Sequence, residues 1–147
     1  MLLIRKMWLD MKGVIRTARK KINTELEPFD LTGIEGDLLF LLITGSNNLR
    51  QEQLAEQLDI GKAVVSRAVD SLESKGYVIR TRHTIDKRAY VISLTDKALK
   101  ISHCITDIYD NLYNIARTGI ADKDFIFVES LLSRISKNLQ HNGDNSD

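Results

Sequence analysis

The sequence predicts a mainly α-helical fold with a small two- or three-stranded β-ribbon, in which a helix-turn-helix and its ribbon are flanked by helices at both ends. Three observations carry this. Apolar residues recur at helical spacing over most of the chain, the period drops to two only after Gly76, and three stretches carry narrow 3.5-residue seams rather than broad apolar faces. With 147 residues, 43% of them hydrophobic and 28% charged, the composition is globular and the size suits one domain, residues 1–147.

The first seam is Ile4, Trp8, Met11, Ile15, Ala18 and Ile22, at alternating steps of four and three. A seam of this kind seeks another helix. Its other faces hold Arg5, Lys6, Lys12, Arg16, Arg19, Lys20 and Lys21, either a solvated surface or an accessory phosphate contact, the solvated surface being the commoner case. Pro28, the only proline, helps to end this helix. Thr32 and Glu35 form a capping-box pattern that opens a second helix, and Leu38 to Ile43 is apolar on nearly all sides, as in a buried helix closed by Gly45.

Two short amphipathic segments follow. Leu54, Ala55, Leu58 and Ile60, then Val65, Ala68, Val69 and Leu72, keep helical spacing with one break at Asp59-Ile60-Gly61. This outlines a helix-turn-helix, with Gly61 suited to the turn and Ala55 small enough for a close crossing. The second helix, read as Lys62 to Lys75, presents Lys62, Ser66, Arg67, Asp70 and Ser71 opposite its apolar face. Polar and basic groups near a helix N-terminus are what a recognition helix offers to base edges and phosphates. Lys75, at its far end, is expected only to complement the helix dipole.

Gly76 is the expected C′ residue. Beyond it Arg80 and Arg82 share one face of a strand, with Ile79 and Thr81 on the other; Tyr90, Ile92 and Leu94 alternate with Ala89, Val91 and Ser93 on the return. His83 to Arg88 forms the tip. Between Lys62 and Tyr90 stand seven basic residues against three acidic ones, whereas the whole chain carries a net charge of only +1. The positive charge is therefore sorted toward this module.

Thr95 is a plausible N-cap for a helix running toward Gly119 with Ala98, Ile101, Ile105, Ile108, Leu112 and Ile115 in the second seam. The third seam, after a cap at Asp122, is Phe125, Val128, Leu132, Ile135 and Leu139. Three seamed helices around so small a module imply a second copy of the chain, with Ile4, Trp8, Met11 and Ile15 of the first helix and Phe125 to Leu139 of the last in the interface. Residues 142–147 lack an apolar anchor and read as a frayed tail.

Several function classes are disfavoured. No segment is apolar enough to span a membrane and the N-terminus lacks a signal-peptide core, so no membrane partner is expected. One cysteine forms no internal disulfide, and the reading is cytoplasmic. Cys104, between Ile101 and Ile105, is expected to be buried as a small hydrophobe, with a redox-sensing thiol as the alternative. The three histidines are scattered, so neither metal nor cofactor is expected. No phosphate-cradling glycine loop or activated nucleophile is present, and the reading is not an enzyme.

The residues resemble those of the MarR (multiple antibiotic resistance regulator) family of winged helix-turn-helix transcription regulators. The resemblance rests on Gln53-Leu54-Ala55, Val65-Ser66-Arg67, Val69 to Gly76, and Asp86-Lys87-Arg88-Ala89 leading to Leu94-Thr95, which fits the family's Asp-x-Arg wing signature followed by Leu-Thr. It covers most of the chain and implies that 31–94 is the winged DNA-binding region, with 1–30 and 95–141 as dimerisation helices. It implies that Lys62, Ala63, Val64, Ser66 and Arg67 face the major groove of double-stranded DNA. In the wing, Arg80, Arg82, His83, Lys87 and Arg88 would be the DNA-binding residues, with Lys87 or Arg88 entering the minor groove, His83 near phosphate and Asp86 orienting Arg88. Lys87 departs from the Arg of many relatives, keeping the charge but not the planar fork. His83 is otherwise simply exposed. Some family members sense peroxide through a cysteine near the start of the chain, and the first helix here has none. The resemblance further implies a homodimeric repressor on a pseudo-palindromic operator, released by a small-molecule effector bound at a site not readable here. The alternative is a winged-helix module that docks protein or RNA, although such a wing more often presents aromatic anchors than the cations Lys87 and Arg88.

Overall fold

Leu26 is completely buried, and just beyond it the first helix, α1 (Leu2–Leu26), gives way to a single 3-10 turn at Glu27–Phe29 that contains Pro28. This is a computed structural model of the chain, and it describes residues 1–142. Asp30 leaves the turn in the left-handed region (φ 57°), and Thr32 then caps α2 (Gly33–Thr44). The Thr32 hydroxyl accepts the Glu35 N–H at 3.3 Å, the N-cap half of the expected capping box, and the Glu35 carboxylate accepts the Thr32 hydroxyl at 3.0 Å rather than reaching back to the Thr32 backbone N–H. Leu38, Leu39 and Leu42 of α2 are buried at the centre of the core. A Cβ on Gly36 would stand 2.3 Å from a Leu26 methyl, so only glycine permits this approach of α1 to α2.

From α2 the chain passes through β1 (Leu49–Arg50) into α3 (Gln51–Leu58), α4 (Lys62–Ser74), β2 (Val78–Arg82), β3 (Tyr90–Leu94), α5 (Asp96–Ala116) and α6 (Asp122–His141). The sheet is antiparallel with order β1-β3-β2; Leu49 pairs with Ile92, and Arg82 with Tyr90. It thus has three strands, the third being the dipeptide Leu49–Arg50. The Asn47 side chain extends the edge by accepting the Leu94 N–H at 2.9 Å, and the Ser93 hydroxyl donates to the Asn48 side chain at 2.7 Å.

The chain forms two compact units, Met1–Leu112 and the segment from Tyr113 onward. In the first, α2, α3, α4, the sheet and the buried side of α5 (Ala98, Ile105, Tyr109) share one core. Two polar ties cross it. Asp37 accepts the Tyr109 hydroxyl at 2.6 Å and pairs with Arg19 at 2.8 Å, joining α5 and α1 to α2. That bond to Asp37 raises the Arg19 pKa against the opposing effect of burial. The Tyr77 hydroxyl donates to the Phe29 carbonyl at 2.8 Å, and burial, reinforced by Asp30, raises its pKa.

The second unit holds the end of α5 and α6. Gly119 turns the chain with φ 75°, and Arg117 pairs with Asp122 at 2.6 Å. Among its described residues, Phe125, Val128, Leu132 and Leu139 are exposed in the single chain while Ile135 is half-buried. Ile4, Trp8 and Ile15 of α1 are likewise exposed, with Met11 half-buried. The expected frayed tail lies, beyond Asn142, outside the described residues.

Four expectations are corrected. The helix-turn-helix turns on Asp59, at φ 51°, whereas Gly61 has φ −64° and caps α4; an aspartate tolerates the left-handed region well enough to stand where glycine was expected. Lys75 does more than complement a dipole, since its ammonium donates to Glu35 at 2.9 and 3.2 Å and to the Asp30 carbonyl at 2.6 Å. Cys104 is exposed. It lies about 100° around the helix from buried Ile105, which is enough to leave the core face. Finally, α6 is capped at Ala121, which places Asp122 inside its first turn, where a carboxylate favours the dipole.

Candidate nucleic-acid interface

Helix α4 is fixed by its apolar face: Val65, Ala68, Val69 and Leu72 are buried against α3, α2 and the sheet. The opposite face is what remains for a ligand. Lys62, Ala63 and Arg67 are exposed, and Val64 and Ser66 are half-buried at its margins. These five residues therefore share the accessible N-terminal part of the helix, where free backbone N–H groups and the helix dipole favour anionic charge.

The wing is organised by its basic residues rather than merely decorated with them. Arg80, Arg82 and Tyr90 share one face of the ribbon, with Tyr90 directly opposite Arg82 and diagonal to Arg80, and both guanidinium groups lie over its ring, at 5.4 and 5.5 Å. Arg80 also pairs with Asp70 and donates to the Ser66 carbonyl at 3.3 Å, while its own N–H donates to Glu73 at 3.0 Å. Its side chain is 17% exposed. Expected from the sequence among the DNA-binding wing residues, it also straps the wing to α4.

At the tip, Arg82 donates to the Lys87 carbonyl at 2.8 Å. His83 is half-buried, and its Nδ1 accepts the N–H groups of Ile85 and Asp86 at 3.2 and 3.1 Å, so it closes the turn rather than simply facing solvent. Asp86 orients Arg88 through the backbone: its carboxylate accepts the Arg88 N–H at 3.1 Å. Thr84, Ile85, Asp86, Lys87 and Arg88 are exposed. The structure thus ties α4 and the cationic wing together through Arg80. Residues to which sequence reasoning gave no part in the site adjoin it: Tyr90 beneath the two arginines, Asp70 and Glu73 as anchors of Arg80, and Arg50, which lines one recess with Lys62. Cross-strand pairing of Arg82 with Tyr90 was available as a signal; the partner of Arg80 across the helix was not.

A double-mutant cycle on Arg80→Ala and Asp70→Ala, followed by urea unfolding, should return a coupling of roughly 0.5–1 kcal/mol, because one partner is largely exposed. Zero coupling would show that the strap contributes nothing.

Comparison with known proteins agrees with this geometry. A model of the MarR family matches residues 29–89. The HTH-type transcriptional regulator SarZ of Staphylococcus aureus is 30% identical over 131 residues, covering 87% of this chain and 82% of that protein. Among solved structures, a MarR protein from Peptoclostridium difficile superposes with a TM-score of 0.80 at 21% identity, over 92% of this chain and 88% of that one. MepR of S. aureus, solved as a complex with DNA, gives 0.77 at 22% identity, over 87% and 94%. The chain belongs to the MarR family of winged-helix transcriptional regulators.

Proposed function

We propose that the protein is a homodimeric, sequence-specific DNA-binding regulator that acts as a repressor on a pseudo-palindromic operator. The observation that carries this reading is the pairing of an accessible recognition-helix N-terminus (Lys62, Ala63, Arg67) with a cationic wing tied to the same helix by Arg80. Such a head meets two successive grooves: α4 in the major groove, with Arg67 positioned for base edges, and the wing tip in the neighbouring minor groove through Lys87. The MepR and AbfR structures similar in fold were solved with DNA bound, which supports the same ligand here.

The dimer is supported by the apolar rows left exposed on α1 (Ile4, Trp8, Ile15) and α6 (Phe125, Val128, Leu132, Leu139), a quantity of apolar surface unusual for a monomer. Covering each row with a second copy sets two heads about one helical turn (~34 Å) apart on DNA. Release by a small-molecule effector is then a population shift: a ligand that prefers another head spacing draws the dimer away from the DNA-competent one. This is binding, not catalysis, and a cytoplasmic location belongs to the same reading.

Sedimentation at micromolar concentration should show a dimer; a folded monomer of 16.7 kDa would sink the proposed assembly. Arg67→Ala should weaken operator binding by roughly 1–3 kcal/mol and relax the preference at one position of each half-site. Uniform weakening at all sequences would move Arg67 to a phosphate contact instead.

A further inference from the structure

Beside the recognition helix lies an open recess of about 170 Å³, lined chiefly by Arg50, Gln51, Glu52, Lys62, Arg88 and Tyr90. Its three cations come from three separate elements: Arg50 from β1, Lys62 from the first position of α4, and Arg88 from the wing. Glu52 is the only carboxylate in its lining and pairs with Arg50 at 3.1 Å. The local balance is therefore two positive charges in excess, gathered where mutual repulsion is relieved by an anion.

We infer that this recess seats one backbone phosphate of bound duplex DNA, with Arg50, Lys62 and Arg88 as its ligands and Glu52 as the counter-ion that phosphate displaces from Arg50. The inference rests on the DNA-binding reading and deepens it. Arg50 and Glu52 are 42% and 49% exposed, and a pair so solvated is held weakly enough to exchange partners. The forked guanidinium suits a phosphate better than a single solvated carboxylate. Arg50 itself is placed by the fold: its N–H donates to the Gln53 side chain at 2.8 Å, and it pairs with Val91 across the sheet. A contact there carries no sequence information. It sets the register of the head, with Lys87 left for the minor groove while Arg88 turns to the backbone.

The test is the salt dependence of binding by the full-length protein to duplex DNA, with Arg50→Gln and Glu52→Gln as variants. Arg50→Gln should weaken binding to every duplex alike and flatten the plot of log K against log salt by about 0.9, one phosphate's share. Glu52→Gln should tighten binding several-fold, because it removes the competing carboxylate. An unchanged slope in Arg50→Gln, or unchanged or weaker binding in Glu52→Gln, would overturn the phosphate seat; if Arg67→Ala still altered sequence preference, the DNA-binding reading would stand without it. Stronger competition by inorganic phosphate than by chloride at matched ionic strength, lost in Arg50→Gln, would reassign the recess to free phosphate and likewise overturn the proposal. Failure of the parent protein to bind any duplex would remove the reading and the inference together.

Discussion

The helix α4 and the ribbon that follows it are separate elements, and here Arg80 ties them together. Its guanidinium reaches from β2 to Asp70 and the Ser66 carbonyl on α4 while stacking over Tyr90 of β3, so one side chain ties three elements. The backbone N–H of the same residue is held by Glu73. Arg82, two residues on, repeats the stacking and reaches the tip through the Lys87 carbonyl. Half of the wing's positive charge is therefore structural. It stiffens the ribbon so that the remaining cations arrive at the ligand already oriented, which limits the conformational entropy lost on binding.

At the other end of α4 the Lys75–Glu35 pair performs a related task against a different partner. Glu35 is only 4% exposed, so its carboxylate needs a charge, and Lys75 provides it while also capturing the Asp30 carbonyl at the corner between α1 and α2. The Tyr77 hydroxyl bonds the Phe29 carbonyl in the same corner, and the Lys97 ammonium lies over the Tyr77 ring at 4.4 Å. The recognition helix is thereby anchored at its C-terminal end to the region where α1 ends. The end of α1 and the end of α4 thus share one set of polar contacts.

The features legible in the sequence were those with a repeating pattern. The helices α1, α5 and α6, the buried leucines of α2 and the period-two ribbon follow from the spacing of apolar residues, and the Thr32 cap from residue type just ahead of such a run, whereas the α1 and α6 rows stay largely exposed in the single chain. What could not be read depended on single contacts between distant positions. Lys75 and Glu35 are forty residues apart, and nothing local marks them as partners. The dipeptide Leu49–Arg50 becomes a strand only because Ile92 and Val91 lie opposite it, which also hid Arg50 as a member of the site. Cys104 and Ile105 are neighbours in the chain yet fall on different helix faces, so proximity to a seam was a poor guide to burial. Within the site, residue types and their grouping were apparent, whereas the division between ligand-facing cations and structural ones such as Arg80 required coordinates.

We propose that this family member reads a specific duplex sequence as a symmetric pair of heads. Selection of sites from a random duplex pool with the purified protein at near-physiological salt tests it most directly, since phosphate binding without sequence preference fades there. The account predicts enrichment of an inverted repeat with half-sites about one helical turn apart. No enrichment from folded, dimeric protein would contradict it and would favour a winged-helix module that docks another macromolecule.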